Sequence, residues 1–202
     1  MMRGKLFVCV VVLAQCAGCA WQAQAVKITP DLKSTSTLSG NGKTVELSIA
    51  DERSSKTIGQ RGVGGVGADM TVDGDLEKIL HEALVNGLGK HNFMVGGDAK
   101  SAGSKLRVEI RNLSSKNIMG FWAGTLRDEF GVKAFCKSDS GTEYQKMYNG
   151  VFETSIQVVP TGEANNKYIS NAVSDGVNQL VNDDALLTCL VGGGAGSSAV
   201  SR

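Results

Sequence analysis

Histidine is nearly absent from this chain. His81 and His91 are the only two in 202 residues. No cysteine or carboxylate stands near either at ligand spacing, so a zinc centre is not indicated and no metal is expected. Nor does any Gly-x-Ser-x-Gly elbow appear, and the many serines have no base at a recognisable spacing, which removes the hydrolase reading. Both histidines read as structural or solvated, His81 on the polar side of a helix and His91 complementing a helix C-terminus. Net charge is missing too. Taking Arg3 and Lys5 from the 21 basic residues, for a reason given next, leaves 19 against 20 acidic ones. That removes the electrostatic case for nucleic acid as a partner. The apolar run Leu6 to Leu13 is too short to span a bilayer. A dinucleotide fingerprint is present in spacing only. Gly62-x-Gly64-x-x-Gly67 stands about a dozen polar residues after the preceding strand and well before the next helix, so it reads as a flexible surface loop and no cofactor is expected.

What is present begins at the N-terminus. Arg3 and Lys5 precede the Leu6–Leu13 run, and small residues then close on Ala17-Gly18-Cys19. This is the order of parts of a secretory signal, with a cysteine where a lipoprotein junction places it. Residues 1–18 thus read as signal peptide and Cys19 as the lipidated first residue of the mature chain. Cys16 stands where such junctions usually carry leucine. A cut before Cys16 is the alternative, but it would leave Gln15 at a position wanting a small residue. A soluble periplasmic protein with Cys19 unmodified is the other. Ala20, in place of an aspartate, favours the outer membrane over inner-membrane retention. The expected location is therefore lipid-anchored at the outer membrane and facing the periplasm.

Residues 19–43 are polar, rich in Ser, Thr and Gly, and read as a lipidated N-terminus and flexible tether with a short extended piece at Val26 to Ile28. A coil of that length averages roughly 25–30 Å end to end. Residues 44–190 read as one domain, and residues 191–202 as a disordered Gly/Ser-rich tail. Within the domain, Val45–Ile49 alternates as a half-buried strand. Leu76, Ile79, Leu80, Ala83, Leu84 and Leu88 line one helical face behind a cap at Asp73 or Asp75. Strands follow at Lys105–Arg111, Phe130–Cys136 and Glu143–Ile156, the last with a bulge or bend at Gly150. Ile169, Ala172, Val173, Val177 and Leu180 mark a second helix. The order β-α-β-β-β-α predicts an α+β fold, a mostly antiparallel four-stranded sheet with two helices.

Several short motifs in this order resemble the YajG family of bacterial lipoproteins. They are Val26-Lys27-Ile28-Thr29-Pro30, Asp51-x-Arg53, Gly59-x-Arg61, the Asp75-led helix, Phe93-Met94-Val95-Gly96, and Asn171-Ala172-Val173-Ser174-Asp175. The resemblance implies a small outer-membrane-associated lipoprotein and implies no enzyme. The Gly62–Gly67 segment, Cys16, the two late cysteines and the glycine-rich tail depart from the family's pattern.

Three residue groups are candidate sites. Asp51, Arg53 and Arg61 form either a structural ion-pair network or a polar patch for a ligand carboxylate or sugar. Ile118, Met119, Phe121 and Trp122 make an apolar connection where a polar one is expected, so they are either a protein contact surface or membrane-surface wedge, or else core. Cys136 and Cys189 are either a disulfide or two buried thiols. Together these predict a non-enzymatic adaptor or assembly factor contacting another envelope protein, with a small-ligand or glycan-binding lipoprotein as the alternative.

Overall fold

A computed structural model of the chain describes residues 22–63, 66–96, 103–119 and 123–193. These residues form eight strands and three helices. The strands are β1 (Gln24–Val26), β2 (Thr44–Asp51), β3 (Gly59–Val63), β4 (Val66–Val72), β5 (Met94–Val95), β6 (Ser104–Met119), β7 (Gly124–Lys137) and β8 (Glu143–Ile156). The helices are α1 (Leu76–Lys90), α2 (Gly162–Val181) and α3 (Asp184–Leu190). One sheet has three strands in the order β1-β4-β3, the other five in the order β5-β2-β6-β7-β8. The expected four-stranded antiparallel sheet with two helices is therefore wrong. β2 pairs parallel with both β5 and β6, because the chain between them includes α1 and must cross over before returning. Only β6, β7 and β8 run antiparallel in the larger sheet.

Capping fixes where the helices start. Asp75, Thr161 and Asp183 accept backbone N–H bonds at the starts of α1, α2 and α3. α1 and α2 lay their apolar faces on one side of the five-stranded sheet. Leu80, Leu84 and Leu88 from α1 and Ile169, Val173, Val177 and Leu180 from α2 are almost wholly buried there. They meet Leu106, Val108, Phe130 and Val132 from the sheet, and α3 closes the corner with Leu186, Leu187 and Leu190. Gly150 makes no bulge, since the β7–β8 register runs through it unbroken. It is glycine because α2 crosses so close that a Cβ would collide with the Ala172 carbonyl and the Gly176 amide. α2 also protects the β8 edge: Val151 N–H donates to Asp175 at 3.1 Å, and the Gln179 amide to Asn149 O at 2.9 Å.

The tether reading fails from residue 22 onward. Val26 and Ile28 are core residues, β1 pairs parallel with β4, and the following segment is strapped along α2. The backbone N–H groups of Lys27, Thr29, Asp31, Lys33 and Thr35 donate to the side chains of Asn166, Ser170, Ser174, Asn178 and Asn182, at 2.6–3.1 Å. Two extended residues advance about 6.6 Å and four helical ones about 6.0 Å, so the two spacings run nearly in step. Asn178 and Asn182 also donate back to the Asp31 and Lys33 carbonyls. The loop expected over Gly62–Gly67 gives way to strand on both sides of residues 64–65, which lie outside the described residues: Gly62 pairs with Gly67 and Val63 with Val66 between β3 and β4. At the other end of the domain Lys43 and Ser140 hold the Val191 and Gly192 carbonyls. The rest of the predicted tail lies outside the described residues.

Candidate functional site

Among the described residues the helices cover one face of the five-stranded sheet and leave the other open. On that face the strand register aligns rows of side chains across β2, β6, β7 and β8. One row is Glu46, Lys105, Lys137 and Glu143, the next Ser48, Arg107, Phe135 and Gln145. The third is Ala50, Glu109, Lys133 and Met147. A groove of about 1130 Å³ runs across them. Its outer row is self-paired, Lys105 to Glu46 at 3.0 Å and Lys137 to Glu143 at 3.2 Å. At its centre the Phe135 ring lies under two cations, Lys133 Nζ at 4.8 Å and Arg107 at 5.9 Å from the centroid. Arg107 and Arg111 both hold Glu109, which is buried beneath them. Met147 is 41% exposed beside this cluster. An aromatic face flanked by guanidinium and ammonium groups and edged by methionine can bind a partner by stacking, cation–π and charge-assisted contacts.

Asp51 and Arg53 are brought together at the end of β2. Arg53 Nε and Nη2 donate to the two Asp51 carboxylate oxygens at 2.9 and 2.8 Å, and Lys56 adds a third bond at 2.6 Å. The Arg53 guanidinium, with Lys56, holds the Asp51 carboxyl well below the usual carboxylate range against the cost of burial. Both Asp51 and Arg53 side chains are almost closed to solvent, at 8% and 5% exposure. Arg61 stands separately on β3 and joins neither bond. Arg53 Nη1 and Arg61 Nε are buried without a hydrogen-bond partner.

The apolar connection is described only in part. Ile118 is 58% exposed near the end of β6. Met119 ends that strand, and Phe121 and Trp122 lie outside the described residues. Cys19 lies outside them too. Cys136 and Cys189 are joined by a disulfide that ties β7 to α3. Of the histidines, His81 is exposed, while His91 is buried with Nδ1 donating to Leu38 O at 3.2 Å and Nε2 at 3.4 Å from Ser34 Oγ. Among the described residues no cluster of His, Cys, Asp and Glu could hold a metal ion. Nor is any helix there long and apolar enough to cross a membrane.

Two polar groups escaped the sequence reading. Asp128 is wholly buried on β7, and neither carboxylate oxygen makes a well-formed hydrogen bond. Burial pushes its pKa up to about 6, with the cross-strand Ser115 hydroxyl pulling part of the way back. The signal was a carboxylate on the inward alternation between Leu126 and Phe130. Asp183 is the other. It receives Tyr144, Tyr148 and Lys146 at 2.7–3.0 Å on one oxygen while capping α3 with the other. No spacing rule in the sequence links those four residues.

The model of a family described as an uncharacterized lipoprotein matches residues 30–190. No curated protein matches the sequence. Among solved structures the chain is similar to a protein from Xanthomonas campestris, at 12% identity over 85% of this chain and 96% of that one, with a TM-score of 0.50. It is also similar to a minor lipoprotein from Acinetobacter baumannii, at 8% identity over 74% and 91%, TM-score 0.41. A third likeness is to lipoprotein GNA1162 from Neisseria meningitidis, at 10% identity over 70% and 99%, TM-score 0.34. At such identities the Xanthomonas likeness bears on the fold alone.

Proposed function

We propose that this chain, which belongs to the uncharacterized lipoprotein family, is a non-enzymatic adaptor lipidated at Cys19 that holds an envelope protein on the open face of its larger sheet. The observation that carries the reading is the Phe135 ring under Lys133 and Arg107 in an uncovered groove. Aromatic rings and arginine are residue types enriched in protein interfaces, and arginine is among those on which interface energy concentrates. Outer-membrane placement facing the periplasm completes the proposal and is supported by Ala20 after the lipobox cysteine. The small-ligand alternative has weaker support, since Arg53 and Lys56 already engage the Asp51 carboxylate in a nearly closed site.

A photoreactive residue placed at Gln145, within the groove, tests the adaptor reading in intact cells. One discrete protein adduct is expected there and none from the same probe at His81, on the exposed side of α1. Phe135→Ala with Arg107→Ala should abolish the adduct, since such anchors commonly contribute about 2 kcal/mol or more, roughly thirtyfold in affinity. Identical adduct patterns from both probe sites would defeat the groove as the docking surface.

A further inference from the structure

Three chain segments meet at one end of the molecule. β6 arrives there with Ile118, whose cross-strand neighbours are Thr125 on β7 and, beyond it, Ser155 on β8. β8 leaves there through Ile156, and Val158, just past it, is 79% exposed. α2 starts back from the same end. The strap runs alongside α2 in the same direction, since Lys27 meets Asn166 near the start of the helix and Thr35 meets Asn182 at its finish. Traced backward, the strap therefore leaves the domain at this end. Gln24 is fixed there by its side-chain amide, which donates to Gly162 O at 2.8 Å and accepts from Asn165 at 2.9 Å.

Gln24 stands five residue steps after Cys19. Fully extended, they reach at most about 16–18 Å. The headgroup zone on one side of a bilayer takes up about 5–8 Å of that. A domain pinned at Gln24 cannot stand clear of the surface on so short a leash, and the end it presents carries two exposed branched apolar side chains. We infer that this end, with Ile118 and Val158, lies against the lipid surface. The strands of the larger sheet then stand up from the membrane, and the Phe135 groove opens sideways above it. The Ser138–Gly141 turn, one length of β7 away at 14 residues or about 46 Å, points into the compartment. The inference rests on lipidation at Cys19, as proposed above.

The test uses the full lipidated protein, purified from membranes and reconstituted in vesicles of phosphatidylethanolamine and phosphatidylglycerol. Ile118→Cys, Val158→Cys and Ser140→Cys are labelled singly with an environment-sensitive nitrobenzoxadiazole dye, the native Cys136–Cys189 pair being bridged. All three positions are exposed, so substitution should leave the fold intact. Labels at 118 and 158 should shift to the blue and lose intensity to quenchers carried on lipid chains. The label at 140 should respond only to iodide in the water. Mass spectrometry of the same preparation reads the acyl chains on Cys19. With acyl chains present, labels at 118 and 158 as open to iodide as that at 140 would overturn the orientation and leave the anchor standing. A chain recovered without acyl chains and free of vesicles would overturn the lipoprotein anchor itself, and this orientation with it.

Discussion

Asp128 occupies an inward register position of β7 flanked by Leu126 and Phe130, where a carboxylate has no water to ionise into. Its pKa of about 6 lies above the roughly 3.9 of an unfolded aspartate. Between those values the folded chain keeps a proton that the unfolded chain has released. Stability therefore falls as pH rises from about 4 to about 6 and stays lower above, by about 3 kcal/mol for a shift of this size. Asp51 has the opposite sign, because Arg53 holds its pKa down. Its contribution is complete above about pH 4 and is lost only below that, so the two windows do not overlap. Asp128→Asn should flatten the dependence between about pH 4 and pH 6 and raise stability near neutrality by up to about 3 kcal/mol. Urea midpoints at the two ends of that window measure it. An unchanged slope in the variant would assign the dependence to another group.

The strap converts a polar helix face into something close to a strand edge. Each accepting side chain on α2 stands four residues after the last, and each donated N–H two residues after the last. Removing one acceptor frees an amide at a half-exposed position where water can replace it, so the loss per bond is small. Asn178→Ala with Asn182→Ala removes acceptors for Lys33, Thr35 and Ser36 and donors for Asp31 and Lys33. The expected cost is about 1–2 kcal/mol, with faster hydrogen exchange confined to the strap and circular dichroism unchanged. Protection preserved across residues 31–36 would show that burial of Ile28 and Leu32, and not the ladder, holds the segment.

For the molecule as a whole, the strap is part of the fold that a boundary at residue 44 would cut away. A chain beginning at Thr44 loses β1 and the buried Val26 and Ile28, each contributing about 1.5–3 kcal/mol, and uncovers the seam beside α2. It should melt far below a chain beginning at Gln22, or fail to fold, and calorimetry of the two decides between them. Equal midpoints would return residues 22–43 to the status of linker. With Cys19 lipidated as proposed, the same strap would also set how the protein stands at the membrane, because it turns a nominal 25-residue tether into a leash of about five. The Phe135 groove is then held within reach of the bilayer, where an adaptor working beside the membrane would meet its partner.

Elements whose signals are local were legible in the sequence. The Leu76–Leu88 and Ile169–Leu180 stripes, the Asp75 cap, and the alternations at Val45–Ile49, Leu106–Ile110 and Phe130–Cys136 repeat at the period of the structure they form. The uncovered patterns were also written there: Val26, Ile28 and Leu32 fall on one alternation broken by Pro30, Asn or Ser recurs every fourth residue from Asn166 to Asn182, and Val63-Gly64-Gly65-Val66 is good hairpin chemistry. The first two needed a partner far away in the chain, and polarity read the first as tether. The last is a local pairing, read as loop because its glycines follow a polar stretch and no helix opens at Gly67. Pairing direction was likewise invisible, since a strand's pattern is the same whether its neighbour runs parallel or antiparallel; the crossover through α1 decided it. The Asp51–Arg53 pair lay two residues apart and could be seen. The Phe135 groove could not, because Arg107, Lys133 and Phe135 come from two strands and share a surface only through the β6–β7 register. Sequence determined four of the eight strands, the two longer helices and which of their faces were apolar. The tertiary structure decided what each face meets, because that depends on contacts between segments more than a hundred residues apart.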